Sequence, residues 1–259
     1  MPRLPKLRDF LTAIDGRLPV ATPLIETIAA DGGYTIERRL PGRTMTAVVG
    51  GLAGEARRRA FGNYLEAATA FRSIEFAERP YGELLAAAPL TAPDWHAYLR
   101  ASLARYLAAN GEPIATEVGA VEGLAAKALA LLDGVAAAPP KILVHGDYFP
   151  GNVLMDDALG VAGVVDFSSF TVVGDPLLDL AGAYVFPEMA GQCGPEDSAA
   201  MRDWLLDRHG EAIVAPVLFY RAYFAFAMAH PVHASGLYPG LYSWCLGTLA
   251  ALRDGQLAF

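Results

Sequence analysis

The sequence predicts an α+β fold in which most of the chain is helical and the candidate site residues lie at a short β-hairpin. Three observations predict it. Apolar residues recur at helical spacing over most of residues 52–252. Two short apolar runs, Ile142–Val144 and Val153–Met155, interrupt these helices and are bordered by Gly, Asp and Asn, as strands commonly are. Before residue 42 there is room for one short helix and one hairpin.

The N-terminal residues predict a short helix, a hairpin and an extended segment. Residues 4–14 have the spacing of an amphipathic helix. Residues 24–36 contain two β-type runs on either side of Asp31-Gly32-Gly33, a composition typical of a tight turn. We therefore assign residues 1–42 to a reduced N-terminal lobe and residues 43–259 to a mostly helical C-terminal lobe.

Beyond residue 43 the apolar spacing predicts a series of helices. They cover residues 52–76, 95–109, 118–132, 176–186, 196–209, 212–230 and 237–252. The window 212–229 is the most apolar part of the chain, but it contains Pro216 and Arg221, which are unfavourable in lipid. It therefore predicts a buried helix rather than a membrane span.

Three oxygen-bearing side chains follow the short apolar runs. Asp147 lies in the loop after the first run, Asn152 opens the second, and Asp166 ends the return strand, which we expect after a turn at residues 160–163. Two antiparallel strands bring such positions to one end of a hairpin. Two carboxylates and an amide oxygen suit Mg²⁺, and one carboxylate remains to act as a base. This set favours phosphoryl transfer.

The same stretch contains the motifs of a known family. The letters HGDYFPGNVL, VVDFSSF and GDPLLDLA resemble the aminoglycoside phosphotransferase (APH) family, which usually shows H-G-D-x-x-x-x-N, I-D-F/W and G-D-P-x-x-D-L-A. The spacing of His, Asp and Asn also matches the catalytic loop of protein kinases, although Ser168 stands where their D-F-G motif has Gly. The resemblance implies a protein-kinase-like fold and a small-molecule kinase.

The resemblance also implies a role for each matching residue. Asp147 would accept the proton of an attacking hydroxyl or orient it, while Asn152 and Asp166 would hold Mg²⁺ against the nucleotide phosphates. Three further residues would support the site. His145 would hydrogen-bond the loop backbone, Asp175 would cap the next helix, and Asp179 would brace the catalytic loop.

The N-terminal lobe has fewer parts than such kinases use. Glu37, Arg38 and Arg39 begin a segment that resembles the family's hinge, whose backbone meets the adenine of the nucleotide. No G-x-G-x-x-G precedes this segment. The chain has just three lysines, and none lies in an apolar strand before the hinge: Lys6, Lys127 and Lys141. Three explanations stay open: a kinase with a trimmed lobe, a degenerate member without activity, or a gene that starts further upstream.

Composition narrows the class of protein. The chain has 259 residues, a hydrophobic fraction of 54% and a net charge of −8. Residues 1–59 carry ten Lys and Arg against six Asp and Glu, which suits phosphates or an acidic partner. Arg57-Arg58-Arg59 lacks the interleaved aromatic residues of single-stranded nucleic-acid binders, so we expect no nucleic-acid partner. Two cysteines and the lack of an apolar leader predict a cytoplasmic protein without membrane association.

These observations predict a Mg²⁺-dependent phosphotransferase that uses ATP or GTP. Its substrate would be a hydroxyl group of a small molecule or of a peptide Ser or Thr, and a protein partner is one way to complete the N-terminal lobe. Glu188, Asp197 and Asp203 are the acidic residues best placed to meet a cationic substrate. The alternative is a pseudokinase, a module that binds a ligand or partner without transferring phosphate.

Overall fold

The structure is a computed structural model, and it describes residues 4–29, 34–235 and 239–259. The turn predicted at residues 31–33 and the predicted start of the last helix at Leu237 lie outside these residues. The chain divides into two compact units. They consist of Met1–Ala92 with Pro139–Ala183, and of Pro93–Ala138 with Tyr184–Phe259.

The first unit begins with the helix and the hairpin that the sequence predicts. Helix α1 (Leu4–Ile14) has its predicted bounds and buries Leu11 and Ile14. Strands β1 (Ile25–Ile28) and β2 (Thr35–Glu37) pair antiparallel. The predicted division into lobes at residues 1–42 and 43–259 stays a prediction, and it differs from the division into two compact units.

Two further sheets complete the first unit. Their strands are, in chain order, β3 (Arg43–Thr44), β4 (Tyr81–Glu83), β5 (Thr91–Ala92), β6 (Ile142–Val144), β7 (Val153–Met155), β8 (Val161–Val164) and β9 (Val172–Gly174). One sheet has the order β3-β7-β8 and the other β5-β4-β9-β6, and every neighbouring pair is antiparallel. The β7-β8 pair is the predicted hairpin, whereas β3, β4, β5 and β9 were not predicted from the sequence.

The turn of this hairpin comes earlier than the predicted residues 160–163. Asp156 Oδ1 accepts two backbone N–H groups, one of them from Gly160 at 2.8 Å, and this closes the turn before β8 begins. Gly163 therefore lies inside the strand. A Cβ atom there would lie 3.1 Å from the carbonyl oxygen of Ala21, with which this strand also pairs. The glycine serves close packing rather than a turn.

The long helix predicted over residues 52–76 is wrong in its length. The structure has α2 (Met45–Val49), then α3 (Gly54–Ala68), and a 3₁₀ turn at Ala70–Ser73. Thr69 ends α3 because its backbone N–H and its hydroxyl both donate to a carbonyl in the last turn, at 3.0 and 2.7 Å. This tightens the turn and stops the α-helical ladder.

Helices make up most of the second unit. They are α4 (Trp95–Glu117), α5 (Val121–Leu131), α6 (Leu177–Met189), of which the first part belongs to the first unit, α7 (Pro195–His209), α8 (Val214–Met228) and α9 (Pro239–Asp254). The predicted helix 95–109 is eight residues too short at its C-terminal end. Asn110 is buried inside the longer helix, where its amide donates to the Phe226 carbonyl at 2.8 Å.

The apolar window lies in the core of the second unit. Pro195–Met228 contains an 18-residue window with a mean hydropathy of 1.3. By length and composition alone this segment could cross a membrane. However, 56% of the window is buried inside the protein. Within it, α8 buries Phe219, Tyr220 and Phe226, and Tyr220 accepts a hydrogen bond from Trp95 Nε1 at 2.9 Å. The prediction of a buried helix is confirmed.

Candidate active site

The loop between β6 and β7 brings Asp147 and Asn152 into direct contact. Asn152 Nδ2 donates to Asp147 Oδ2 at 3.2 Å and to the Asp147 carbonyl at 3.0 Å. The backbone N–H of Asn152 donates to the Phe149 carbonyl at 2.8 Å, which closes the loop. Both amide hydrogens are thus directed at Asp147, so the Oδ1 of Asn152 is the atom left to bind a cation.

Asp166 lies just beyond β8 in an unusual backbone conformation. Its φ is +65°, in the left-handed region that Asp tolerates better than most residues. The neighbours hold it there: the Val165 N–H donates to the Asn152 carbonyl at 2.9 Å, and the Val165 carbonyl lies 2.9 Å from His145 Nε2. Backbone outliers of this kind cluster at functional sites. Asp166 is exposed, whereas Asp147 is half-buried.

The two carboxylates interact electrostatically. Burial, and then the negative charge of Asp166, raise the pKa of Asp147 to about 6, while the hydrogen bond from Asn152 opposes that rise. Among the described residues no three His, Cys, Asp or Glu side chains converge on one point. The carboxylate of Asp166 and the amide oxygen of Asn152 are of the donor types that Mg²⁺ prefers, so the chemistry of these two residues fits such an ion.

Asp179 fixes the start of the loop from the first turn of α6. Its carboxylate accepts the backbone N–H of His145 at 2.6 Å and that of Gly146 at 2.8 Å. Burial raises the pKa of Asp179 to about 7, and these two donors oppose that rise. Asp175 lies just before the same helix, where its Oδ1 accepts the Leu177 N–H at 2.9 Å.

His145 links the loop to the end of β8. Its Nε2 donates to the Val165 carbonyl, so its Nδ1 is the acceptor for the Asp147 N–H at 3.3 Å. Desolvation lowers the pKa of His145 to about 4, which keeps the ring neutral in this arrangement. The ring centroid lies 4.6 Å from that of Phe167. The contacts of His145 are thus to backbone and to an aromatic ring.

Gly146 and a tyrosine pair complete the loop. Gly146 has φ +79°, and a Cβ atom there would lie 2.0 Å from the Phe170 carbonyl oxygen, so no other residue fits. Tyr64 Oη donates to the Tyr148 carbonyl at 2.6 Å, and Tyr148 Oη donates to the Tyr64 carbonyl at 3.1 Å. This pair was not predicted from the sequence, because no local pattern connects residues that lie 84 positions apart.

The predicted hinge residues lie elsewhere in the first unit. Glu37 ends β2, and the side chains of Glu37, Arg38 and Arg39 are exposed. Arg38 donates to Asp15 Oδ1 at 2.7 Å and to the Thr22 carbonyl at 3.3 Å. Within the described part of the chain, no hydrogen bond or ion pair joins these three residues to the loop. Their nucleotide role stays a prediction.

The acidic residues proposed for a cationic substrate lie in the second unit. Glu188 forms an ion pair with Arg221 at 2.7 Å, and Asp203 lies 3.5 Å from Arg202. Asp197 accepts the backbone N–H of the residue that caps α7, at 2.9 Å. Each of the three therefore already has a partner.

Comparison with known proteins decides the family. The model of the phosphotransferase enzyme family, APH, matches residues 1–213. The chain belongs to this family. The matched range includes Asp147, Asn152 and Asp166, which the structure places around one loop and hairpin end. No curated protein matches the chain.

Solved structures with the same fold are distant in sequence from this APH-family chain. A thermostable mutant of aminoglycoside phosphotransferase APH(4)-Ia is 19% identical, with a TM-score of 0.66 over 96% of this chain and 82% of that one. Aminoglycoside 2′-phosphotransferase-IIIa has 16% identity and a TM-score of 0.59, over 96% of this chain and 81% of that one. Macrolide 2′-phosphotransferase MphH from Brachybacterium faecium has 17% identity and a TM-score of 0.52, over 96% of this chain and 79% of that one. The predicted α+β, protein-kinase-like fold is confirmed.

Proposed function

We propose that this chain is a Mg²⁺-dependent phosphotransferase that moves the γ-phosphate of ATP to a hydroxyl of a small molecule or of a peptide Ser or Thr. The observation that carries the proposal is the contact of Asp147 with Asn152 next to the strained Asp166. Further support comes from relatives of the same fold: one similar structure is a ternary complex with ADP and hygromycin B, and another is a GDP complex. GTP is the alternative nucleotide.

The residues of the proposed site would have separate roles. Asp166 and the Oδ1 of Asn152 would hold Mg²⁺, which neutralises charge on the transferring phosphate. Asp147 would accept or orient the proton of the acceptor hydroxyl, and a pKa near 6 leaves its carboxylate ionised at neutral pH. Because the transition state of phosphoryl transfer is loose, holding the acceptor in line matters more than the strength of the base. Asp179 and His145 would keep the loop in place for this.

A second candidate is a module that binds nucleotide or another ligand without transfer. The observation that favours it concerns the lysines, since kinases use one to hold nucleotide phosphates. All three donate to backbone carbonyls instead: Lys6 to Ala86, Lys127 to Arg253 and Lys141 to Ala77. An arginine of this chain or a protein partner would then have to supply the missing cation. The β1-β2 hairpin, with Ile36 50% exposed, offers a partner an edge for strand addition.

Three variants distinguish the two candidates. Asp147→Ala should abolish phosphate transfer, including slow hydrolysis of ATP with water as acceptor, and should keep the affinity for Mg²⁺ with the non-hydrolysable analogue AMP-PNP. Asn152→Ala and Asp166→Ala should weaken that affinity, measured by calorimetry. Asp157→Ala, at an exposed position in the hairpin turn, is the matched control. Wild-type turnover in Asp147→Ala would contradict the role assigned to Asp147, although it would still identify a transferase. Nucleotide binding without turnover of any acceptor in the wild type would favour the binding module.

A further inference from the structure

A groove of the first unit lies outside the proposed active site. It runs along α1 opposite residues 76–85 and has a volume of about 720 Å³. Its apolar lining comes from Phe10, Ile14, Phe76, Leu84 and Leu85. Both the size and the lining are typical of a site for one small molecule.

The charged residues of the groove are mainly cations. Lys6, Arg17 and Arg79 line it, and none of them forms a salt bridge with a carboxylate among the residues that the structure describes. Lys6 and Arg17 donate to backbone carbonyls at 3.2 and 3.4 Å. Asp9 is the acidic residue of the lining, and it already pairs with Arg8 at 3.3 Å. The groove therefore combines an apolar surface with unbalanced positive charge.

We propose that this groove binds an amphipathic anion, a small molecule with an apolar body and a single carboxylate or phosphate group. The apolar lining would remove the body from water. Arg17 and Arg79 would pair with the anionic group, since a guanidinium presents two parallel donors to a carboxylate or phosphate. A cationic ligand of the same shape would face three like charges. Charge complementarity therefore assigns the sign of the ligand.

One aromatic contact connects the groove to the active site. The ring centroid of Phe10 lies 5.6 Å from that of Phe167, which directly follows Asp166 in the chain. Phe167 also packs on His145, at 4.6 Å. A ligand that packs against Phe10 would hold α1 against Phe167 and so favour the backbone conformation of Asp166. This coupling rests on the proposed function, because it takes Asp166 to be a metal ligand.

Calorimetry with decanoate tests the site directly, with decyltrimethylammonium as the probe of opposite charge. Wild-type protein should bind decanoate and not the cation. The double variant Arg17→Glu/Arg79→Glu should weaken decanoate binding by about tenfold or more. Ala13→Phe, which fills the groove from an exposed position, should abolish it. Arg58→Glu, on the exposed surface of α3, should leave it unchanged.

Several outcomes would overturn the site. They are the absence of decanoate binding, equal binding of the cationic probe, or a loss in Arg58→Glu as large as in the double variant. Binding of an acidic, aromatic peptide in the absence of decanoate binding would likewise overturn it, because it would assign the groove to a protein partner. None of these measurements depends on phosphate transfer, so the site can fail while the proposed function holds, and the reverse.

The coupling has its own measurement. Decanoate should tighten the binding of Mg²⁺ with AMP-PNP by about threefold, and the nucleotide should tighten decanoate by the same factor, because coupling between two sites is reciprocal. Ala13→Phe should show no such change. If both ligands bind and neither affects the other, the coupling is wrong. If decanoate binds and no nucleotide does, the proposed function fails and the groove assignment remains.

Discussion

The loop 145–152 and the segment 37–39 are both predicted parts of the nucleotide site, yet different kinds of contact hold them in place. The loop is fixed by buried polar contacts: Asp179 accepts two of its N–H groups, and both ring nitrogens of His145 are hydrogen-bonded. The segment 37–39 has exposed side chains, and the ion pair from Arg38 to Asp15 lies at the surface. The loop therefore holds its side chains in fixed positions, whereas the segment 37–39 would contact a nucleotide mainly through its backbone.

This difference has an energetic consequence. Leaving a buried donor or acceptor without a partner costs about 1–3 kcal/mol, whereas an exposed ion pair contributes about 0–1 kcal/mol. Substitutions in the loop should therefore change stability and activity together. Substitutions in the segment should change neither by much. The following variants test that contrast, starting from the largest expected effect.

Gly146→Ala should give the largest loss. The new Cβ would lie 2.0 Å from the Phe170 carbonyl oxygen, at a φ of +79°, so the loop has to move away from Phe170. We expect a loss of more than about 3 kcal/mol in the free energy of unfolding. Urea unfolding and turnover measure the two effects.

Gly16→Ala is the control for this variant. Gly16 has a similar φ of +70°, but a Cβ there would meet no atom within 4 Å. It should lose about 1 kcal/mol, the conformational part of the effect alone. Equal losses in the two variants would show that the contact with Phe170 does not constrain the loop.

Asp179→Asn should give the next largest loss. An amide retains one acceptor oxygen, so its NH₂ group would face either the His145 or the Gly146 N–H, and that donor would lose its partner. We expect a loss of about 2–3 kcal/mol in stability and a parallel loss of turnover. Asp175→Asn is the matched comparison, because Asn is as good a helix cap as Asp and should cost less. An equal loss in both would remove the special role of Asp179.

The pH dependence of the Asp179→Asn loss tests the same carboxyl. In the folded protein the pKa of Asp179 is about 7, above its ordinary value of 3.8. The stability that comes with this raised pKa is therefore fully present below about pH 4 and is lost as the pH rises through 7. Asparagine does not titrate, so the variant should be further below the wild type at pH 5 than at pH 8. If the stability difference between wild type and variant grows with pH instead, the two backbone N–H donors lower the pKa of Asp179 by more than burial raises it.

The sequence predicts local features of the molecule well. Helix α1 has its predicted bounds, and the three polar residues of the site lie in motifs whose spacing is read directly from the chain. The hairpin β7-β8 follows from the same kind of local pattern. Each of these depends on residues close together in sequence, where periodicity and turn chemistry are strong signals.

The sequence does not reveal contacts between distant segments. Strands β4, β5 and β9 have two or three residues each, and β4 and β9 are buried at every position, so none shows the alternation that marks a strand. The end of α3 at Ala68 depends on one hydrogen-bonding threonine. The contact of Phe10 with Phe167 and the tyrosine pair depend on how distant segments pack, which no local pattern records.

Tyr148→Phe and Tyr64→Phe should give moderate losses of different size. The Tyr64 carbonyl lies in α3, so it keeps a helical donor when the Tyr148 hydroxyl is removed. The Tyr148 carbonyl lies in the loop and depends on the Tyr64 hydroxyl at 2.6 Å. We expect about 0.5 kcal/mol for Tyr148→Phe and about 1.5 kcal/mol for Tyr64→Phe, both measured by urea unfolding. The reverse order would show that the loop carbonyl has another donor.

Arg38→Ala should have the smallest effect. The pair with Asp15 has side chains 42% and 37% exposed, so water screens it in the folded protein and solvates both groups when it breaks. A double-mutant cycle with Asp15→Ala should give a coupling of about 0.5 kcal/mol. If adenine recognition in this segment uses the backbone, as the hinge resemblance implies, the KM for nucleotide should stay within about twofold, because the Arg38 N–H still donates to the Leu24 carbonyl at 2.9 Å. A rise of tenfold or more would place the Arg38 side chain itself on the nucleotide and remove the contrast between the two regions.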